Sequence, residues 1–134
     1  MVNPRALVID DDEIVRALMS ELLRAQGCDV FDTGSPIGVT KLIVQHQIDI
    51  VVLDVMMPDI SGDKLAKLLR RNPKLQQLAI VLVSSGEHDD LAQLASDVEA
   101  DSVVSKSEIR GELARVALAA HRRRALSAGR GRTG

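Results

Sequence analysis

Aromatic side chains are almost absent, with one Phe, no Trp and no Tyr in 134 residues. Stacking platforms for bases or sugars are therefore lacking, and the core has to be aliphatic. The single cysteine, Cys28, rules out an internal disulfide. It opens an apolar stretch, which favours a buried structural thiol over a reactive one. No apolar run approaches the roughly 20 residues that span a bilayer. The opening Met-Val-Asn-Pro-Arg leads toward a strand pattern without a signal peptide, so the expected location is cytoplasmic, with no membrane partner. Nor is there a basic surplus: the formal net charge of −2 argues against nucleic acid as a partner for the domain. With one cysteine and His46, His88 and His121 scattered along the chain, no site for a soft metal is visible.

What is present fits one domain. A chain of 134 residues with 46% hydrophobic residues supports a sizeable core but hardly a second folded unit. Strand-like and helix-like runs alternate five times, with strands expected over 5–10, 28–32, 48–54, 78–84 and 101–105. The central runs are nearly continuous Val, Ile and Leu, as in strands covered on both faces. Ile14, Val15, Leu18, Met19, Leu22 and Leu23 form a two-wide apolar stripe, and Gly27 sits where a left-handed cap would end that helix. A second helix is expected to open at Ser35-Pro36. A third would place Leu65, Leu68 and Leu69 on one side and stop at Asn72-Pro73; a fourth would run from about Asp89 to Val98. The fifth would use Ile109, Leu113, Val116, Ala117 and Ala120 before dissolving at Arg122 to Arg124. Residues 125–134 read as a disordered tail or linker.

Five β–α units with short connections imply an α/β fold: a doubly wound, flavodoxin-like parallel sheet in the order 2-1-3-4-5. In such a sheet the carboxyl ends of the strands share one edge. Asp10 and Asp11, Asp54, Ser84 and Lys106 all fall at strand ends and would converge there. Crowded carboxylates repel one another, which raises their pKa values unless a cation neutralises them. Mg²⁺ suits the set, being a hard cation that binds through one or two carboxylates plus phosphate. An aspartate beside it can attack an activated phosphoryl donor to give an acyl phosphate, and a lysine and a hydroxyl can hold the transferred oxygens.

These residues carry a resemblance. Asp10-Asp11, Asp54 followed by Met56-Met57-Pro58 and Gly62, then Ser84 and Lys106, with Arg16 in the first helix, resemble the receiver domain of two-component response regulators over about residues 5–122. The resemblance implies a receiver domain over 1–124 whose Asp54 is phosphorylated by a histidine kinase or histidine phosphotransfer protein. It implies that Asp11 ligates Mg²⁺, with Asp10, Asp54 and the Met56 main-chain carbonyl completing the protein ligands. Ser84 would be the switch hydroxyl and Lys106 the phosphoryl-pairing cation. Enzymatic activity would be limited to self-phosphorylation and slow autodephosphorylation, and the output would reach an effector domain or a homodimer. Two positions depart from the family pattern. Ser107 follows Lys106 where receivers carry a cis-proline, and a cis bond before serine would cost about 2.5–4 kcal/mol, which favours trans. Val103 stands where receivers that signal by burying a ring carry an aromatic residue. The expected readout is therefore a backbone shift in loop 84–90 and the fourth helix, with a smaller steric signal at Val103.

Plainer readings compete. Asp12 and Glu13 read as helix-capping acids. A pseudo-receiver that docks without phosphorylation would keep the same fold. Asp10-Asp11-Asp12 also spells the Asp-x-Asp of haloacid-dehalogenase-type phosphatases, but that reading leaves Asp54 without a task.

Overall fold

The computed structural model describes residues 2–58, 60–85 and 88–132, with side chains at 88–91 and 129–132 outside the description. The five strands are β1 (Arg5–Ile9), β2 (Asp29–Thr33), β3 (Ile50–Asp54), β4 (Ala79–Ser84) and β5 (Ser102–Ser105). They form one parallel sheet in the order β2-β1-β3-β4-β5, as the alternation of elements predicts. The helices are α1 (Glu13–Ala25), α2 (Val39–His46), α3 (Gly62–Arg71), α4 (His88–Val98) and α5 (Ile109–Arg132).

Strands buried on both faces alternate between two cores. Leu7, Ile9, Val51, Leu53, Ile80 and Leu82 face Ile43 of α2 and Leu65 and Leu69 of α3. Ala6, Val8, Ile50, Val52, Val81 and Val83 face Met19 and Leu23 of α1 and Leu113 and Ala117 of α5. Cys28 is buried in this second core, as a structural thiol should be, and burial pushes its pKa up.

The start and stop signals explain most boundaries. Asp12 caps α1 by accepting from the amides of Ile14 and Val15 at 3.0 and 3.2 Å. At the other end Gly27 adopts φ 94°, with its amide donating to Arg24 and that of Cys28 to Leu23, a Schellman closure. Asn72 ends α3 and caps the short 3₁₀ turn Pro73–Leu75 through Lys74 N.

Four expectations are corrected. α2 starts at Val39, not at Ser35-Pro36. Ser35 Oγ accepts from Ile37 N in a local turn, and Gly38 at φ 77° breaks any helix running through it. Ile14 is 82% exposed and Leu68 57% exposed, so each lies off the buried stripe of its helix. α5 does not dissolve at Arg122 but continues to Arg132 through the residues expected to form a tail. Arg124 anchors it there: its Nε donates to Asp101 Oδ1 at 2.8 Å and its Nη1 to the Gln76 carbonyl at 3.1 Å. The Ala and Arg residues around this anchor are good helix formers.

Asp101 joins several elements at the sheet edge remote from the acids. Its Oδ2 accepts from Arg70 Nη2 at 3.0 Å and from Ile80 N at 2.8 Å. Arg70, buried on α3, also donates to the carbonyls of Leu78 and Glu99.

Candidate functional site

Register brings the functional side chains together. Ile9 pairs with Leu53 and Asp54 with Val83, so the residues that follow β1, β3 and β4 meet along one edge. Ser84 pairs with Ser105, which puts Lys106 one residue past the end of β5. One carboxylate oxygen from each of Asp10, Asp11 and Asp54 lies within 4.8 Å of the others. Asp10 and Asp54 are buried, and Asp11 is exposed at the mouth.

Asp10 and Asp54 each accept from a backbone amide of their own. Asp10 Oδ1 accepts from the Asp12 amide at 2.8 Å, and the Asp10 carbonyl accepts from Arg16 Nη1 at 2.9 Å. Arg16 is held in turn by Asp32, 3.3 Å away on β2. A Cβ on Gly34 would lie 2.8 Å from Arg16 Nη1, so a glycine there leaves this guanidinium its place. Asp54 Oδ1 accepts from the Met56 amide at 3.1 Å, and Asp54 Oδ2 lies 3.5 Å from Lys106 Nζ. Ser84 is buried at the end of β4. Sequence reasoning noticed Arg16 but missed Asp32 and Gly34. The signal for Asp32 was only a charged residue ending an edge strand, which is common on surfaces.

The arrangement suits a hard cation. Asp10 Oδ2 is buried without a hydrogen-bond partner, as an oxygen kept for a metal would be. Burial and, to a smaller degree, the neighbouring Asp54 push the Asp10 pKa up to about 6, against an opposing hydrogen bond from Asp12. Oxygen donors clustered this closely fit Mg²⁺ in both charge and ligand type.

The shift has a consequence for the metal-free protein. The folded state holds this proton more tightly than the unfolded chain, where the group has its ordinary value of 3.8. Its contribution to stability is therefore full below that value and is lost as pH rises through about 6. In chelator, the urea midpoint is expected to carry a fall, on the order of 1–3 kcal/mol in stability, between about pH 4 and pH 7. Asp10→Asn is expected to remove that fall; an unchanged profile in the variant would refute the assignment.

A model of the response regulator receiver domain matches residues 6–117. The chain belongs to the response regulator receiver family. Among curated relatives, the DNA-binding dual master transcriptional regulator RpaA of Synechocystis is 33% identical over 84% of this chain and 47% of its own length. The phosphate regulon transcriptional regulatory protein PhoB of Pseudomonas aeruginosa is 28% identical over 79% of this chain and 46% of its own. The chain thus spans about half the length of these relatives. Among solved structures, the receiver domain of a putative Luxo repressor protein from Vibrio parahaemolyticus superposes with TM-score 0.82 at 18% identity, covering 94% of this chain and 95% of that one. At that identity the likeness speaks for the fold.

A receiver domain of this family is a phosphoacceptor signalling domain of two-component systems. The match favours neither the pseudo-receiver nor the phosphatase reading. No peptide bond among the described residues is cis, so Lys106-Ser107 is trans, as the cost of the alternative suggests. Val103 is half-buried against the α2–α3 core. Loop 84–90, where the readout is expected, lies partly outside the described residues. No described helix is long and apolar enough to cross a membrane.

Proposed function

We propose that Asp54 accepts a phosphoryl group from a phosphohistidine of a histidine kinase or histidine phosphotransfer protein, with Mg²⁺ as cofactor. The observation that carries this is the buried Asp54 carboxylate, 3.5 Å from the Lys106 ammonium and clustered with Asp10 and Asp11. Asp10, Asp11, Asp54 and the main-chain carbonyl of Met56 would hold the ion, which supplies charge neutralisation for the transferring oxygens. An Asp54 oxygen attacks phosphorus, the bond to the donor nitrogen breaks, and an acyl phosphate remains. Lys106, only loosely engaged with Asp54, then pairs with the phosphoryl oxygens, and Ser84 donates its hydroxyl to them. Chemistry on this chain ends there, with slow hydrolysis of the acyl phosphate returning the free carboxylate.

Ile14 and Met56 are exposed apolar side chains close in sequence to the acids, at 82% and 69% exposure, and support docking of a donor protein. The output goes to an attached effector or to a homodimer, and the family supports a cytoplasmic setting. The acidic net charge supports protein partners over nucleic acid for this domain.

Intact-mass spectrometry after incubation with acetyl phosphate tests the reading. One phosphoryl group is expected with Mg²⁺, none in chelator, and none on Asp54→Asn. Lys106→Ala is expected to slow labelling on the order of 10²-fold. Labelling that persists in Asp54→Asn, or a wild-type chain that stays unlabelled with Mg²⁺, would overturn it.

A further inference from the structure

Arginine is concentrated on one element. α5 carries seven arginines against a single glutamate, in a chain whose net charge is −2. Three of them, Arg110, Arg115 and Arg122, border a half-open cavity of about 400 Å³ between α5 and Gln26, just past the end of α1. Gly111, Ala114 and Leu118 line its floor, and no acid lines it. Glu112 pairs with Arg115, whereas Arg110 and Arg122 have no ion-pair partner among the described residues. Positions 110, 114, 118 and 122 fall four apart, so the cavity follows one stripe of the helix for about 18 Å.

Gly111 provides an independent observation. Glycine in a helix costs roughly 0.5–1 kcal/mol relative to alanine. Gly111 does not have positive φ, and a Cβ built on it would meet nothing within 4 Å. Neither the backbone nor the packing requires glycine here. What it preserves is the open space over the floor of the cavity.

We propose that this groove binds a small organic polyphosphate of nucleoside-diphosphate size. The volume falls within the ~300–1,000 Å³ of small-molecule sites. A protein partner would need roughly 800 Å² of matching surface, far more than this short stripe offers. The cations are all arginines, whose planar forks take phosphate oxygens two at a time. With no aromatic platform in the groove, the organic part would pack on the aliphatic strip of Ala114 and Leu118 rather than stack. The site is independent of the phosphoacceptor aspartate and of the divalent ion, because none of its lining residues belongs to that cluster.

Isothermal titration of the full chain with ADP, GDP and pyrophosphate, in chelator, tests this. Saturable binding of a nucleotide is expected. It should weaken roughly tenfold or more in Arg110→Ala and in Arg122→Ala. Gly111→Leu should abolish it while leaving the circular dichroism spectrum in place and the melting temperature equal to or slightly above that of the wild type, since the added side chain fills the groove rather than the core. Arg123→Ala, which alters an arginine outside the groove, and Asp54→Asn should bind as the wild type does. Absence of binding by all three ligands would overturn the proposal. So would binding that survives both arginine changes, or preference for an acidic peptide or single-stranded oligonucleotide with no nucleotide binding.

Discussion

Asp101→Ala is expected to destabilise the domain by about 3–5 kcal/mol, among the largest effects of any exchange away from the acids. The reason lies in what the carboxylate leaves behind. Arg70 is buried, with a side-chain exposure of 5%, and Asp101 is its only carboxylate partner among the described residues. Without it the guanidinium keeps two carbonyl acceptors but loses its counter-charge, and burial already pulls its pKa down. The same change strips an acceptor from Ile80 N at the second position of β4 and frees Arg124 of α5. Urea unfolding gives the measurement. Asp101→Asn, which keeps an acceptor but no charge, should fall between the two, and a loss under about 1 kcal/mol in the alanine variant would mean that Arg70 finds water instead.

Gly62→Ala is the second large effect. A Cβ at this position would lie 2.3 Å from the Asp54 carbonyl oxygen and 2.9 Å from the Asp54 carbonyl carbon and the Val55 Cα. All three are backbone atoms, so no rotamer change relieves the contact, and either β3 or the first turn of α3 must move. A cost above about 4 kcal/mol is expected, or failure to fold. If the protein does fold, the displaced peptide is the one bearing Asp54, and labelling by acetyl phosphate should drop along with stability. A variant with wild-type melting and wild-type labelling would show that the approach of α3 to β3 is looser than described. Gly111 is the contrast: there alanine should stabilise slightly, because nothing stands in its way.

Most of the architecture was legible because doubly covered strands cannot hide. Runs such as Ile50 to Leu53 and Ala79 to Val83 have to be apolar at every position, and three such central strands with two half-covered edge strands, in alternation with helices, leave few topologies. Asp10, Asp11, Asp54, Ser84 and Lys106 were legible for a related reason, since each ends or follows a strand and parallel register carries them to one edge. What escaped depends on geometry that periodicity does not encode. Ile14 belongs to the apolar stripe by count, yet it is exposed while its neighbour Val15 packs on the core. Ser35-Pro36 carries a helix-start signature, but Gly38 two residues on moves the start to Val39. The extension of α5 rests on Arg124 reaching a carboxylate 23 positions earlier, and no local rule anticipates that pairing. Nothing in the sequence sets Arg70 apart from the other charged residues of its helix, and only its burial reveals the Asp101 junction.

Parallel register has one further consequence. The cluster at the strand ends draws on residues from Asp10 to Lys106, and its ammonium enters only through β5, the final strand to be synthesised. A chain still on the ribosome, or one cleaved before that strand, holds its aspartates without the ammonium that completes the set. Assembly of the full set of acids and amine is thereby tied to completion of the sheet, and no fragment short of β5 carries all of it.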